Sequence, residues 1–318
     1  MLLLKGVMDC PDLPLNVSRS FLQNDGYVKK MSGYISRKVA DKLNSLFKKD
    51  QEKYRSYWDD ISPFIKYGCI REKDFYSKIK ASLLYKTTAG DYVTLDDFIE
   101  RNKDKTDKTV FYVNNEQLQS QYIKMFKDQG MEAVFLTTQL DGPLISYIEN
   151  YEKELELQFN RIDSDLSSTL KQGGEPSEED KRQQEELEKL FREVLGNDKL
   201  KVNVETLKSG SVSAVILLPE QSRRMQEMSK TYSGMGALPG MFDNEEVLTL
   251  NRTNELVRIL SDLNSDKSRK EDTDIIALQI YDLAMMSHKP LPNEQMTLFI
   301  ERSNMILERI AGVTHSTK

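Results

Sequence analysis

The side chains able to act as general base or soft metal ligand are few in these 318 residues: two histidines, His288 and His315, and two cysteines, Cys10 and Cys69. Acyl transfer needs a nucleophile beside a base, and a zinc centre needs ligands at short spacing. Neither histidine neighbours a cysteine, and the cysteines form no CxxC pair, so both thiols read as inert packing or surface groups and no metal site is predicted. There is no Walker loop and no GxGxxG. Gly234, Gly236 and Gly240 alternate with Met235, Leu238, Pro239 and Met241, which suits no phosphate cradle. Carboxylates crowd Glu178 to Asp180 and Glu185 to Glu188 as a solvated run, and Trp58 with Tyr54, Tyr57 and Phe64 reads as helical core. The chain alone is therefore predicted not to be an enzyme.

Two features still carry chemistry. In the loop from Gly6 to Gln23, Pro11 and Pro14 bound a turn that delivers Arg19 near a helix N-terminus. A cation there opposes the helix dipole unless an anion arrives, so Arg19 either meets a nucleotide γ-phosphate held by another domain or makes an ordinary surface ion pair. The second feature is the apolar series Met225, Met228, Tyr232, Met235, Leu238, Met241 and Phe242, broken by glycines. Flexible thioethers suit adaptable contact with many apolar partners, although methionine also fills irregular gaps within a domain.

The elements that must position these residues follow from composition and period. With 38% hydrophobic and 30% charged residues the chain should fold, and its length calls for two or three domains. The net charge of −6, from 51 acids and 45 bases, is interspersed and argues against nucleic acid as main partner. Two scattered cysteines indicate a reducing compartment, hence cytoplasm. No apolar run approaches the ~18 residues of a membrane span, so no membrane association is expected. Leu2 to Leu4 open abruptly, like a strand cut at its start.

Apolar spacings of three and four predict a helix from Ser18 to Lys49, interrupted near Gly33, then helices over Glu52 to Ile61 and from about Asp74. Thr109 to Val113 and Ala133 to Thr137 read as strands flanking a helix from Glu116 to Asp128, a right-handed βαβ unit with a parallel pair. Ser, Gly, Pro and acids from Ser164 to Arg182 mark a linker. A helix with the stripe Leu187, Leu190, Phe191 and Val194 should stop at Gly196. Strands at Lys201 to Leu207 and Ser213 to Leu218 follow, joined through Gly210. Helices near Thr253 to Asn264, Thr273 to Ser287 and Asn293 to Ala311 complete the chain. The last two carry Ile276, Ile280, Leu283, Phe299, Ile306 and Ile310. So apolar a hairpin either pairs with its copy in a four-helix bundle or is buried within the chain. The expected fold class is mixed α+β: a helical bundle with a small βαβ unit over 1–165, a linker at 166–183, and an α+β dimerisation domain ending in a helical hairpin over 184–318.

The run Asp12-Leu13-Pro14-Leu15-Asn16-Val17-Ser18-Arg19 closely resembles the catalytic loop in the middle domain of the ninety-kilodalton heat-shock chaperones. The likeness continues through Lys66-Tyr67-Gly68, Phe111-Tyr112, Phe135-Leu136-Thr137 and the helix near Glu185. It implies a chain running from the catalytic loop to the C-terminus of such a chaperone, without the nucleotide-binding domain. By resemblance, Arg19 contacts the γ-phosphate and Gln23 orders the loop in a full-length ATPase that uses ATP with Mg. The chain alone would bind no cofactor and would not turn over ATP. Also by resemblance, Met225, Met228, Tyr232 and Met235 touch unfolded client proteins, and the C-terminal hairpin forms a homodimer. Pro143 stands where some bacterial members carry a client-contacting tryptophan. The ending Thr314-His315-Ser316-Thr317-Lys318 lacks the acidic peptide of eukaryotic members, which favours the bacterial type. The competing expectation is a passive dimeric scaffold without client-holding activity.

Overall fold

A computed structural model of the chain describes residues 26–106, 108–164, 170–171, 177–225 and 246–312. The fold is mixed, mostly helical with small sheets. It divides into two compact units, Met1–Val110 with Val134–Phe159, and Phe111–Ala133 with Asn160–Lys318. The division falls within β3 (Thr109–Val113) and β5 (Gln158–Arg161), which flank β4 (Val134–Phe135) in chain order and form with it a sheet in the order β4-β3-β5.

In the first unit, α1 (Gly26–Lys49), α2 (Gln51–Arg71) and α3 (Lys73–Ile79) pack into a bundle. Gly33 does not interrupt α1, and the segment expected to end at Ile61 runs ten residues further, to Arg71. Asp50 starts α2 by accepting a hydrogen bond from the Lys53 amide, 3.0 Å long. The inward face of α2 carries Tyr54, Trp58, Ile65 and Cys69, all at most 4% exposed, against Phe75, Tyr76 and Ile79. Trp58 is thus core, and burial pushes the Cys69 thiol up to about 12, the inert state expected of it. The segment predicted to be helical through Leu84 instead turns into a hairpin. Strand β1 (Leu84–Lys86) pairs antiparallel with β2 (Tyr92–Thr94), turning through Gly90 at φ +96°. Thr94 then caps α4 (Leu95–Thr106), its hydroxyl accepting from the Asp97 amide at 3.2 Å.

Helix α5 (Ser120–Asp128) starts four residues later than expected. The side chain of Gln119 accepts from the amides of Asn114 and Asn115, and that of Asn115 accepts from the Leu118 amide, so local polar bonds hold 115–119 as a turn. Gly130 ends the segment at φ +62°. Of Ala133 to Thr137 only two residues are strand. Helix α6 (Asp141–Tyr151) is joined to α2 by a buried ion pair, Lys66 Nζ to Asp141 Oδ1 at 2.6 Å. The other Asp141 oxygen accepts from the Thr138 amide and hydroxyl.

The second unit contains α7 (Glu178–Leu195), β6 (Lys201–Glu205), β7 (Ala214–Leu217), β8 (Val247–Asn251), α8 (Glu255–Asn264), α9 (Lys270–Met286) and α10 (Asn293–Ile310). Helix α7 begins inside the predicted linker because Ser177 and Asp180 form a capping box, and it stops at Gly196, φ +59°, as expected. The anticipated pairing of the 201–207 and 213–218 strands is not what forms. Strand β8, missed in the sequence, lies between them, parallel to β6 and antiparallel to β7. Asn251 closes the loop between them, donating to the carbonyls of Ser209 and Val212 and accepting from the Leu207 amide. Leu187, Leu190 and Phe191 of α7 pack on Val202, Ile216, Leu248 and Leu250 of the sheet and on Val257, Leu260, Ala277, Ile280 and Ala284.

Two outcomes test this packing. A Cβ at Gly68 would lie 2.9 Å from Cε1 of Phe75, which is itself 1% exposed and has nowhere to go. Gly68→Ala should therefore destabilise by about 1–3 kcal/mol in urea unfolding, reversing the gain of about 1 kcal/mol that alanine brings to an open helix. Lys66→Met, which strands Asp141 as an unpaired buried charge, should cost about 3–5 kcal/mol in the same measurement.

Candidate functional site

The candidates divide sharply by position. Arg19, Gln23, Met228, Tyr232 and Met235 lie outside the described residues. Met225 is the last described residue of the helical segment that begins at 220 and is 50% exposed.

On the C-terminal hairpin, helical period alone gave one broad apolar surface, and the structure resolves it into two. Ile280 is fully buried in the chain's own core, with Ile276 and Phe299 packed against it. Ile306 is half-buried, while Leu283 and Ile310 face outward. Further outward residues join them: Leu298, Ile300, Met305 and Leu307. Ile300 and Leu307, seven positions apart, share one flank of α10, and Leu298 with Met305 share another. The sole buried residue on α10 is Arg302. Its guanidinium pairs with Asp282 of α9, and its Nε donates to Gln279 Oε1 at 2.9 Å. Burial lifts the Asp282 carboxyl above its ordinary range despite that partner. The pair fixes how α10 lies on α9 and leaves the apolar flanks of α10 outside.

A second constellation in the same unit is ionic, and sequence reasoning missed it because its members are far apart in the chain. Arg161 donates to both carboxylate oxygens of Asp163, which is 1% exposed, and Gln119 Nε2 donates to the same group at 3.1 Å. The Arg161 amide donates to Glu220 Oε2 at 3.1 Å, and Glu220 also takes the Tyr112 hydroxyl and the guanidiniums of Arg223 and Arg224. His288, whose side chain is 6% exposed, sits between Asp163 and Glu246, 3.5 Å from each, and Lys289 pairs with Glu246. Burial opposes ionisation of Asp163, but His288 and Arg161 hold its carboxyl below the ordinary range. Burial likewise opposes ionisation of Glu246, yet His288 and Lys289 hold it at about 2. Burial disfavours the His288 cation, and the two carboxylates outweigh it and raise its pKa. The arrangement binds charge internally and offers no nucleophile.

Comparison with known proteins places these features in a family. The family described as Hsp90 protein matches residues 1–318. The chaperone protein HtpG of Bacteroides fragilis is 37% identical over 274 residues, 82% of this chain and 39% of the relative. HtpG of Bacteroides thetaiotaomicron is 36% identical over 82% of this chain and 39% of the relative. HtpG of Porphyromonas gingivalis is 34% identical over 81% and 39%. The chain thus spans about two fifths of the length of the curated relatives it matches. A match along all 318 residues, joined by relatives above 30% identity, settles the resemblance carried by the Asp12 to Arg19 run: the chain belongs to the Hsp90 protein family.

Proposed function

We propose that this chain is the client-holding and dimerising part of a chaperone of the bacterial HtpG type. The observation that carries the reading is the hairpin face: Leu283, Leu298, Ile300, Leu307 and Ile310 are 42–77% exposed on one helical pair. Burying an aliphatic side chain of that size is worth about 1.5–3 kcal/mol, so such a face favours a second copy of itself. In this reading residues 1–165 are the end of a middle domain, the linker expected over 166–183 gives way to α7 at Glu178, and 184–318 belong to the dimerisation domain. Met225, Met228, Tyr232 and Met235 meet unfolded polypeptide, whose only common property is exposed apolar surface. ATP with Mg is held by a separate nucleotide-binding domain, to which Arg19 presents its guanidinium and Gln23 the loop order. Residues 1–318 alone bind no nucleotide and turn none over. No described helix is long and apolar enough to cross a membrane, and the proposed setting is the cytoplasm.

Sedimentation equilibrium tests the dimer. The chain should sediment as a dimer and Leu307→Glu/Ile310→Glu as a folded monomer; a double variant that stays dimeric removes the hairpin from the interface. Client holding is tested by light scattering of an unrelated heat-denatured protein. The chain should suppress aggregation, and Met225→Ser/Met228→Ser/Tyr232→Ser should lose most of that suppression while remaining dimeric. A dimer that suppresses nothing would be a passive scaffold.

A further inference from the structure

The charge cluster of the second unit forms a continuous chain of contacts from Tyr112 through Arg223, Glu220, Arg161, Asp163 and His288 to Glu246. Its two ends have different origins in the sequence. Glu220 and Arg223 belong to the helical segment that begins at 220, and Glu246 directly precedes β8. The residues that flank the stretch 226–245 on either side are thus tied to one turn, 161–164. From Glu220 to Asp163 every link joins a permanently charged arginine or a backbone amide to a carboxylate, and Tyr112 is bound by Arg223. The last two links both run through His288, the one group in the chain of contacts that changes charge near neutrality.

We propose that His288 is a proton-operated clasp, which as a cation ties the start of β8 at Glu246 to Asp163 and as a neutral ring releases it. The geometry favours the cation. Nδ1 is buried without a hydrogen-bond partner, 3.5 Å from Asp163 Oδ2, while Nε2 is 3.5 Å from Glu246 Oε1. A neutral ring has only one N–H, so one nitrogen would turn a lone pair toward a carboxylate.

The groups facing His288 from each neighbouring element agree. From the 161–164 turn come Asp163 and, behind it, Arg161. From the start of β8 comes Glu246, shared with Lys289 of the segment after α9. Around those two acids, Tyr122 of α5, which feels Asp163 and whose hydroxyl donates to the Ile216 carbonyl at 2.7 Å, stays neutral through burial. Tyr281 of α9 is kept neutral by burial and by Glu246. The immediate ring contacts are therefore two carboxylates, with Lys289 and Arg161 already committed to the same acids.

The direction with pH follows from linkage. A histidine whose folded-state pKa lies above its ordinary 6.5 contributes stability that is complete below that value and lost as pH rises through the folded-state pKa. Glu246, ordinarily 4.5 and held at about 2, contributes stability complete above 4.5 and lost only as pH falls through about 2. The clasp is thus closed between these limits and opens on the alkaline side.

The experiment uses the whole chain carrying His315→Gln, which leaves His288 as its single histidine. Its ring resonance is followed by NMR across pH, and protection of the Val247–Asn251 amides by hydrogen exchange, corrected for intrinsic rate. The ring should titrate above 6.5 and β8 protection should fall over the same interval. Glu246→Gln, at a partly exposed position that should tolerate the change, should move both transitions to lower pH, and His288→Gln should abolish the pH dependence of protection. A ring titrating at or below 6.5, or a β8 protection profile that Glu246→Gln leaves in place, overturns the proposal. Neither readout involves a client or the dimer face, so the clasp stands or falls apart from the proposed function.

Discussion

Strand β8 is the constraint on which the second unit hangs. Neither β6 nor β7 pairs with the other; each takes its ladder from β8, parallel on one side and antiparallel on the other. A central strand is covered on both faces, and Leu248, Thr249, Leu250 and Asn251 are all fully buried. Both ends of the strand are polar anchors. Asn251 at its end satisfies three backbone groups of the 207–212 loop, and Glu246 at its start meets His288 and Lys289. Sheet, loop and charge cluster are therefore one cooperative assembly.

Covering that sheet consumes only part of the apolar surface of the C-terminal helices. Ala277, Ile280, Ala284 and Met285 of α9 turn inward, while α10 rests on α9 through half-buried residues and the Arg302 pair. The apolar remainder faces out. These exposed aliphatics lie in paired stripes along α10, and the proposed self-association rests on them. Arg302 has a second role in this scheme. A buried ion pair is weak evidence for stability, since desolvation offsets most of its Coulomb gain, but it penalises any alternative seating that leaves one charge alone. We read the Arg302–Asp282 pair as setting the register of the hairpin, and Lys66–Asp141 as doing the same for α2 and α6.

Cys69 and Trp58 show the reverse case, where residue types associated with chemistry are consumed by packing. Both lie on the inward face of α2 among aromatic rings, and burial removes the thiolate on which cysteine reactivity depends.

Much of this was legible in the sequence by itself. The family followed from one loop, Asp12 to Arg19, where several unusual residues stand in order. Helices followed from apolar spacing, with stops such as Gly196 where a left-handed residue ends a helix, and the α7 stripe is legible because the rest of the helix is almost entirely charged or polar. What local pattern could not rank were alternatives of equal apolar content. Leu84 continues a helical spacing and yet begins a hairpin, and Val247 to Asn251 is short and follows a glycine-rich stretch that hid it. Ile280 and Leu283 are indistinguishable by type, though one is fully buried and the other 42% exposed. The charge cluster was invisible for a related reason: Tyr112, Arg161, Glu220, Glu246 and His288 meet only after the chain has closed on itself. Periodicity reports which residues share a face of their own element; which face meets the core, and which distant charges meet each other, is decided by tertiary packing.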